Sequence, residues 1–140
     1  MGVEVLSDYT LRDKRGTVLL SMGVHRLTGP YTAELHSHHE LELSCVRSGH
    51  GVYQVGDRRY DVEPGDVFLL NNTEPHGLIL PDSGHLDHLV IHFRPSFIWN
   101  SLSNDIDYNF LLIFFERSEH FSHRLDRQNP ATASIGEWIW

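Results

Sequence analysis

The sequence predicts a mainly β fold, a single sandwich or barrel of short strands followed by short α-helical segments at the C-terminal side. Three observations support this prediction: the apolar runs are short, turn signals follow one another at short intervals between them, and the succession of strand patterns ends after Pro95. The turn signals are Gly56-Asp57, Glu63-Pro64-Gly65-Asp66 and Pro81-Asp82-Ser83-Gly84. We expect the barrel in residues 1–95, a helical or irregular segment in 96–128, and the start of a helix in 129–140.

Strand patterns follow one another through the first part of the chain. We predict strands with turns up to about residue 29, including an apolar strand at 18–22. Further strands are predicted at 33–46, 51–55, 59–62, 67–70, 76–80 and 86–93, with 33–46 either one long strand or two joined at a bend. A short helix is expected over 96–102. Asn129 followed by Pro130 predicts a second helix start, with an N-cap residue before proline at the first helical position. The apolar run 110–115 is expected to be buried under the barrel or in an interface.

Composition limits the classes of function. The chain has 140 residues, 40% hydrophobic, which is the size and content of one globular domain. Its formal net charge of −8 gives it no electrostatic footprint for nucleic acid. The single cysteine, Cys45, excludes an intrachain disulfide and a cysteine-based zinc cluster. We find no secretion signal and no segment long enough to cross a membrane, so a cytoplasmic location is expected.

Histidine is the unusual residue type, with 11 in the chain. Residues i, i+2 and i+6 of a strand share one face, and His36, His38 and Glu42 have this relation. His76, at the start of a later strand, is placed to complete the set. Imidazoles with one carboxylate suit zinc, iron, nickel or copper and tolerate manganese. The pattern therefore predicts a divalent metal site inside the barrel.

These residues resemble the two sequence motifs of the cupin superfamily. The first motif is matched by Gly29, His36, His38, Glu42 and Gly49, and the second by Gly65 and His76. Asn71 and Thr73 stand where the second motif has proline and glycine. The resemblance implies a double-stranded β-helix or jelly-roll barrel whose metal ligands are His36, His38, Glu42 and His76.

One stretch also resembles, more specifically, the N-terminal effector domains of AraC-type transcriptional regulators; it is HSHHELELSCVRSGHGVYQVGDRRYDVEPGDVFLLNNTEPH. The Pro64-Gly65-Asp66 turn and Ile91-His92-Phe93 before Pro95 belong to the same pattern. The resemblance implies a small-molecule effector, often a sugar, held in the barrel. It also implies a homodimer, and DNA binding only through a C-terminal domain absent from this chain. We accordingly expect the helix of 129–140 to continue in a longer protein or to dock in a dimer.

Other interpretations accompany these predictions. The His and Glu cluster is alternatively a polar cluster that bonds only within the barrel or to effector. His88 and His92 share a strand face that lines the effector pocket or faces solvent, and Tyr31 and Tyr53 are further candidate effector contacts. His123 is expected to be solvated, and His25 carries no specific signal. The rival function is a stand-alone metal-dependent cupin enzyme, a dioxygenase or sugar isomerase, and a third is a structural cupin used only for dimerisation.

Overall fold

The computed structural model describes residues 2–71, 73–98, 114 and 121–139. Within them the chain is mainly β, which confirms the predicted fold class. The strands are β1 (Gly2–Arg12), β2 (Val18–Thr28), β3 (Tyr31–Thr32), β4 (Leu41–Gly49), β5 (Gly51–Val55), β6 (Arg58–Val62), β7 (Val67–Leu70), β8 (His76–Leu80) and β9 (His85–Phe93). The helices are α1 (Pro95–Ile98) and α2 (Pro130–Ile139). None of the described helices is long and apolar enough to span a membrane.

The strands form two antiparallel sheets that pack face to face. One sheet has the order β1-β2-β9-β4-β7 and the other the order β3-β8-β5-β6. The main core draws buried side chains from both sheets, so it lies between them. Its members are Leu27, Val46, Tyr53, Val55, Val62, Phe68, Leu70, Leu78, Leu80 and Leu86.

Alternation along β4 separates this core from a second apolar cluster. Successive residues of a strand point to opposite faces, so Glu42 faces the interior while Leu41 faces outward. Leu41 packs there with Phe93 and Phe114, and the two phenylalanine rings meet edge to face at 5.5 Å between centroids. Phe114 belongs to the apolar run 110–115, whose other residues lie outside the described part of the chain.

The predicted strand 33–46 is divided in the structure. Its first half pairs with β8 of the smaller sheet, through Ala33 N–H to Leu78 O at 3.1 Å and an isolated bridge between His36 and His76. Regular strand structure returns only at Leu41, where β4 enters the larger sheet. The segment changes sheets between these points, and a continuous ladder cannot follow such a crossing. The strand prediction is therefore correct only over 41–46, since residues 33–40 contain an isolated bridge at His36 and no strand.

The chain leaves the barrel along the outer edge of β7. In this exit segment, which we define as residues 121–129, His123 O accepts from Leu69 N–H and Leu125 N–H donates to Val67 O, both at 2.9 Å. Arg127 donates two hydrogen bonds, of 2.7 and 2.8 Å, to the carboxylate of the buried Asp66. The side chain of Asn129 then caps α2 by accepting from Ala131 N–H at 3.0 Å. The predicted helix start is confirmed, whereas the helix predicted over 96–102 is described only as far as α1, and Trp140 is not described.

Candidate metal centre and ligand cavity

Two neighbouring segments bring the four predicted ligands together. Main-chain hydrogen bonds in both directions join His36 to His76, at 3.1 and 2.9 Å. Their ring centroids are 4.8 Å apart, and His38 lies 5.0 Å from His76 and 5.8 Å from His36. Glu42 reaches the same place from the inner face of β4, with Oε2 3.3 Å from Nε2 of His76. The grouping depends on the bridge between His36 and His76 and not on one continuous strand.

The main chain fixes how the three imidazoles face the cluster. Each Nδ1 is within hydrogen-bond distance of a backbone carbonyl two residues away, and a carbonyl only accepts. Nδ1 therefore carries the proton, and in the neutral ring the lone pair is on Nε2, as in histidines that bind metals. The contacts are His36 to Glu34 O at 3.2 Å, His38 to Glu40 O at 3.0 Å and His76 to Glu74 O at 2.8 Å.

The Nε2 lone pairs of these histidines indicate whether the cluster can bind a cation. Nε2 of His38 and Nε2 of His76 are buried, and among the described residues neither has a hydrogen-bond partner. Leaving such atoms unsatisfied costs about 1–3 kcal/mol each. The ligand atoms of His36, His38 and His76 lie within 4.8 Å of one another, as do those of His38, Glu42 and His92. The donor set, its convergence and its unsatisfied nitrogens fit a divalent metal ion.

Glu42 supplies the negative charge of the cluster. It accepts hydrogen bonds from Tyr53 Oη at 2.8 Å and His92 Nε2 at 2.6 Å, and it is almost completely buried. Burial alone would raise the pKa of Glu42, but the neighbouring His38, His76 and His92 outweigh burial and hold that pKa well below its usual range. The group is therefore an ionised carboxylate at neutral pH.

The same carboxylate acts on the surrounding titratable groups. Its proximity raises the pKa of His38, and it outweighs the opposing effect of burial on His76, whose pKa is also raised. Burial first and the charge of Glu42 second raise the pKa of Tyr53 well above its ordinary value. A proton on an imidazole and a metal ion are thus alternative ways of balancing the charge of Glu42.

A cavity of about 210 Å³ opens beside this cluster. It is smaller than the roughly 300–1,000 Å³ typical of sites for drug-sized ligands, so it suits a smaller molecule. All four predicted effector contacts, Tyr31, Tyr53, His88 and His92, lie in its wall. The other lining residues are Val3, His25, Leu27, Ala33, His36, Glu42, His76, Gly77, Leu78 and Val90. Sequence reasoning missed His25, because only the pairing of β2 with β9 brings it to His88.

A second polar cluster connects the candidate metal ligand His76 to the exit segment. His123 is only 4% exposed, so the expectation that it is solvated is wrong. Its Nδ1 accepts from Tyr60 Oη at 2.8 Å, and its Nε2 contacts the carboxylate of Glu74. The main-chain carbonyl of Glu74 holds Nδ1 of His76. Glu74 therefore contacts His76 through its backbone and the exit segment through its side chain.

Comparison with solved structures gives many with the same barrel. One is a Cupin 2 conserved barrel domain protein from Salinispora arenicola, with 14% identity, a TM-score of 0.52, and coverage of 76% of this chain and 82% of that one. The protein plu4264 from Photorhabdus luminescens has 17% identity and a TM-score of 0.52, over 79% of this chain and 83% of its own. A Bacillus subtilis oxalate decarboxylase mutant has 23% identity and a TM-score of 0.52, over 62% of this chain and 24% of its own. These likenesses establish the cupin fold.

Comparison with curated proteins gives no match. The family described as the AraC-like ligand binding domain matches residues 23–128, which is most of the chain. That range includes the predicted metal ligands, every cavity-lining residue except Val3, and most of the exit segment. The chain belongs to the AraC-like ligand-binding domain family, built on a cupin barrel.

Proposed function

We propose that this domain senses a small molecule by means of a divalent metal ion held by His36, His38, Glu42 and His76. The observation that carries the proposal is the set of imidazole nitrogens beside a buried carboxylate, in the wall of a cavity. Zinc, nickel, iron or manganese matches this mixture of donors. When bound, such an ion supplies a Lewis-acidic position for an oxygen atom of the effector.

The chain's own residues orient the effector and exclude water from it. His38, His76 and His92 keep Glu42 ionised, and the hydrogen bonds from Tyr53 and His92 fix its position. Tyr31 and His88 offer polar groups farther along the cavity, between apolar walls. We propose a carbohydrate as the effector, because a sugar combines hydroxyl groups with apolar C–H faces and is small enough for this cavity.

The residues after the barrel have the regulatory role in this proposal. We place the protein in the cytoplasm as a homodimeric transcriptional regulator that binds DNA through a further C-terminal domain. Effector binding would shift the population between two arrangements of the exit segment and α2. The contacts of Glu74 with both His76 and His123 support this route.

Metal analysis tests the proposed centre. We expect the protein, purified without an affinity tag and dialysed against zinc, to retain about one zinc per chain by mass spectrometry. The variants His38→Ala and His76→Ala should lose it. His50→Ala is the matched control, because His50 is exposed and pairs with Asp82 outside the cavity. A wild-type protein that retains no zinc, nickel, iron or manganese would overturn the metal centre.

Imidazole and carboxylate donors beside a cavity are also what the alternative function, a metal-dependent cupin enzyme, requires. The two functions differ in the fate of the bound compound. Incubation of the metal-loaded protein with a sugar that binds, followed by NMR, should return the sugar unchanged. Catalytic conversion, abolished by Glu42→Gln, would favour a dioxygenase or sugar isomerase instead.

A further inference from the structure

The ligand cavity extends beyond the metal centre because it follows the inner face of β9. His88, Val90 and His92 alternate along that face, and all three line the cavity. His92 contacts Glu42 at the proposed metal centre, and it lies four positions along the strand from His88, a span of roughly 13 Å. The cavity therefore has a second end with its own chemistry.

Two imidazoles from paired strands meet at this second end. His25 of β2 is the register partner of His88 of β9, and their ring centroids are 5.5 Å apart. Gly23 leaves the space that the ring of His25 occupies, since a Cβ at this position would lie 2.8 Å from His25 Nε2. The small size of Gly23 and the register of β2 with β9 together place His25 beside His88.

His88 contributes a polar atom without a partner. The residue is only 6% exposed, and its Nδ1 makes no hydrogen bond to any described residue. Burial, assisted by His25, lowers the pKa of His88 to about 4, and burial followed by His92 lowers the pKa of His25. Both rings are therefore uncharged at neutral pH, and each offers one N–H donor and one accepting lone pair.

The surroundings determine which ligand group fits this pair. Among the described residues no lysine or arginine lines the cavity, and Arg26 next to His25 is bound to Asp87 instead. A carboxylate or phosphate at this end would lose its hydration without gaining a cation. A hydroxyl group both donates and accepts, which matches two neutral imidazoles.

We propose that His25 and His88 form a second recognition point, which binds a hydroxyl group of the effector and selects against an anionic group at that end. The inference rests on the proposed function, because the other end of the effector is taken to lie at the metal centre. The effector class is thereby narrowed to sugars and polyols whose far end is uncharged. A compound with one terminal carboxylate belongs to this class, because that carboxylate can face the metal. A compound with two does not, because the second carboxylate would lie at His25 and His88, where no cation offsets its charge.

Three series of linear six-carbon compounds test the proposal by calorimetry with zinc-loaded protein. The hexitols, aldonates and aldarates of glucose, galactose and mannose configuration carry no, one and two terminal carboxylates. In at least one configuration we expect the hexitol or aldonate to bind, and the aldarate to bind at least about tenfold more weakly. An aldarate that binds as tightly, or no binding in any series, would overturn the inferred class.

Two variants assign the effect to the imidazole pair. His88→Phe keeps a ring but removes both nitrogens, and Gly23→Ala displaces His25; each should weaken binding of the preferred compound about tenfold. His50→Phe, the control, should leave affinity unchanged. Unchanged affinity in both cavity variants would overturn the inference. Zinc content, measured in every variant, tests the proposed metal centre separately, because His88→Phe and Gly23→Ala should retain zinc while His38→Ala loses it.

Discussion

Glu42 illustrates how a single residue organises the centre of this barrel. A buried carboxylate is unfavourable unless donors compensate for lost hydration. Tyr53 and His92 donate directly to its two oxygens, and His38 and His76 lie within 4 Å. The ionised state of Glu42 is thus a property of its neighbours, and it in turn makes the site attractive to a cation.

Removing one donor from Glu42 should destabilise the fold. Tyr53→Phe deletes the hydroxyl that bonds Oε2 while keeping the ring that stacks on Phe68 at 4.8 Å. We expect the free energy of unfolding, measured in urea with a chelator present, to fall by about 1.5–3 kcal/mol, as for a hydrogen bond to a charged group. Tyr9→Phe, on the exposed strand β1, is the control and should cost nothing measurable. Equal stability of the two variants would contradict this account of Glu42.

At the residue scale, the sequence predicts which side chains can bind a metal better than it predicts which residues each side chain contacts. His36, His38, Glu42 and His76 are recognisable because residue type and motif coincide, and the structure places them together. The partners of His25 and His123 are fixed by contacts with residues about 50 to 60 positions away, and local sequence contains no record of such pairing. The metal and effector roles themselves stay predictions.

At the scale of elements, an ion pair on the outer face joins β2 to β9. Arg26 donates two hydrogen bonds of 2.7 Å to the carboxylate of Asp87, opposite His25 and His88 on the inner face. The hydrogen bonds from Arg26 outweigh burial and lower the pKa of Asp87. This pair therefore stabilises the same strands that carry the second end of the cavity.

The contribution of Asp87 to folding stability should decrease as the pH falls. A carboxylate whose pKa is lowered on folding stabilises the protein fully above its unfolded pKa of about 3.9. That contribution decreases as the pH falls below this value and is lost below the folded pKa. Asp87→Asn should therefore lower the melting temperature at pH 7 and at pH 5 equally, with a smaller difference near pH 3. A difference that grows with acidity would show that Asp87 does not act through its charge.

The exit segment is held by contacts at several points along its length. Its backbone extends the ladder of β7, while His123 and Arg127 anchor it to Tyr60 and Asp66. Tyr60→Phe removes one anchor, so we expect faster amide hydrogen exchange at Leu125 and little change in β5. Arg59→Ala, on the same strand, is the control. Unchanged exchange at Leu125 would indicate that the ladder alone holds the segment.

The boundaries of the strands are the features that the sequence patterns predict least well. Strands β5 to β9 are predicted within a few residues because turn signals bound their apolar runs, although only β5 shows a regular alternation in burial. The segment 33–40 carries equally strand-like residues but crosses between sheets, and this crossing depends on its pairing with β8. The β1 and β2 hairpin is predicted only as strands with turns, without the bounds of β1, because most of β1 is exposed and has no buried face to impose a pattern.

Across the whole molecule, the candidate metal ligand His76 and the exit segment are linked through a short loop. Glu74 bonds His76 Nδ1 with its main-chain carbonyl and contacts His123 with its carboxylate. We expect these two contacts to transmit a change in the position of His76 on ligand binding to the segment that precedes α2. This link needs no large displacement, because two arrangements of one loop are sufficient.

Hydrogen exchange with and without zinc measures this coupling. In the wild type we expect zinc to slow exchange severalfold at Leu69 and Leu125, the amides that join β7 to the exit segment. Glu74→Ala keeps the carbonyl that holds His76 but removes the contact with His123, so zinc should still bind while its effect on these two amides disappears. Glu63→Ala, which removes a carboxylate near Arg127 instead, should preserve the zinc effect. An undiminished zinc effect in Glu74→Ala would mean that the signal reaches α2 through the sheet and not through this loop.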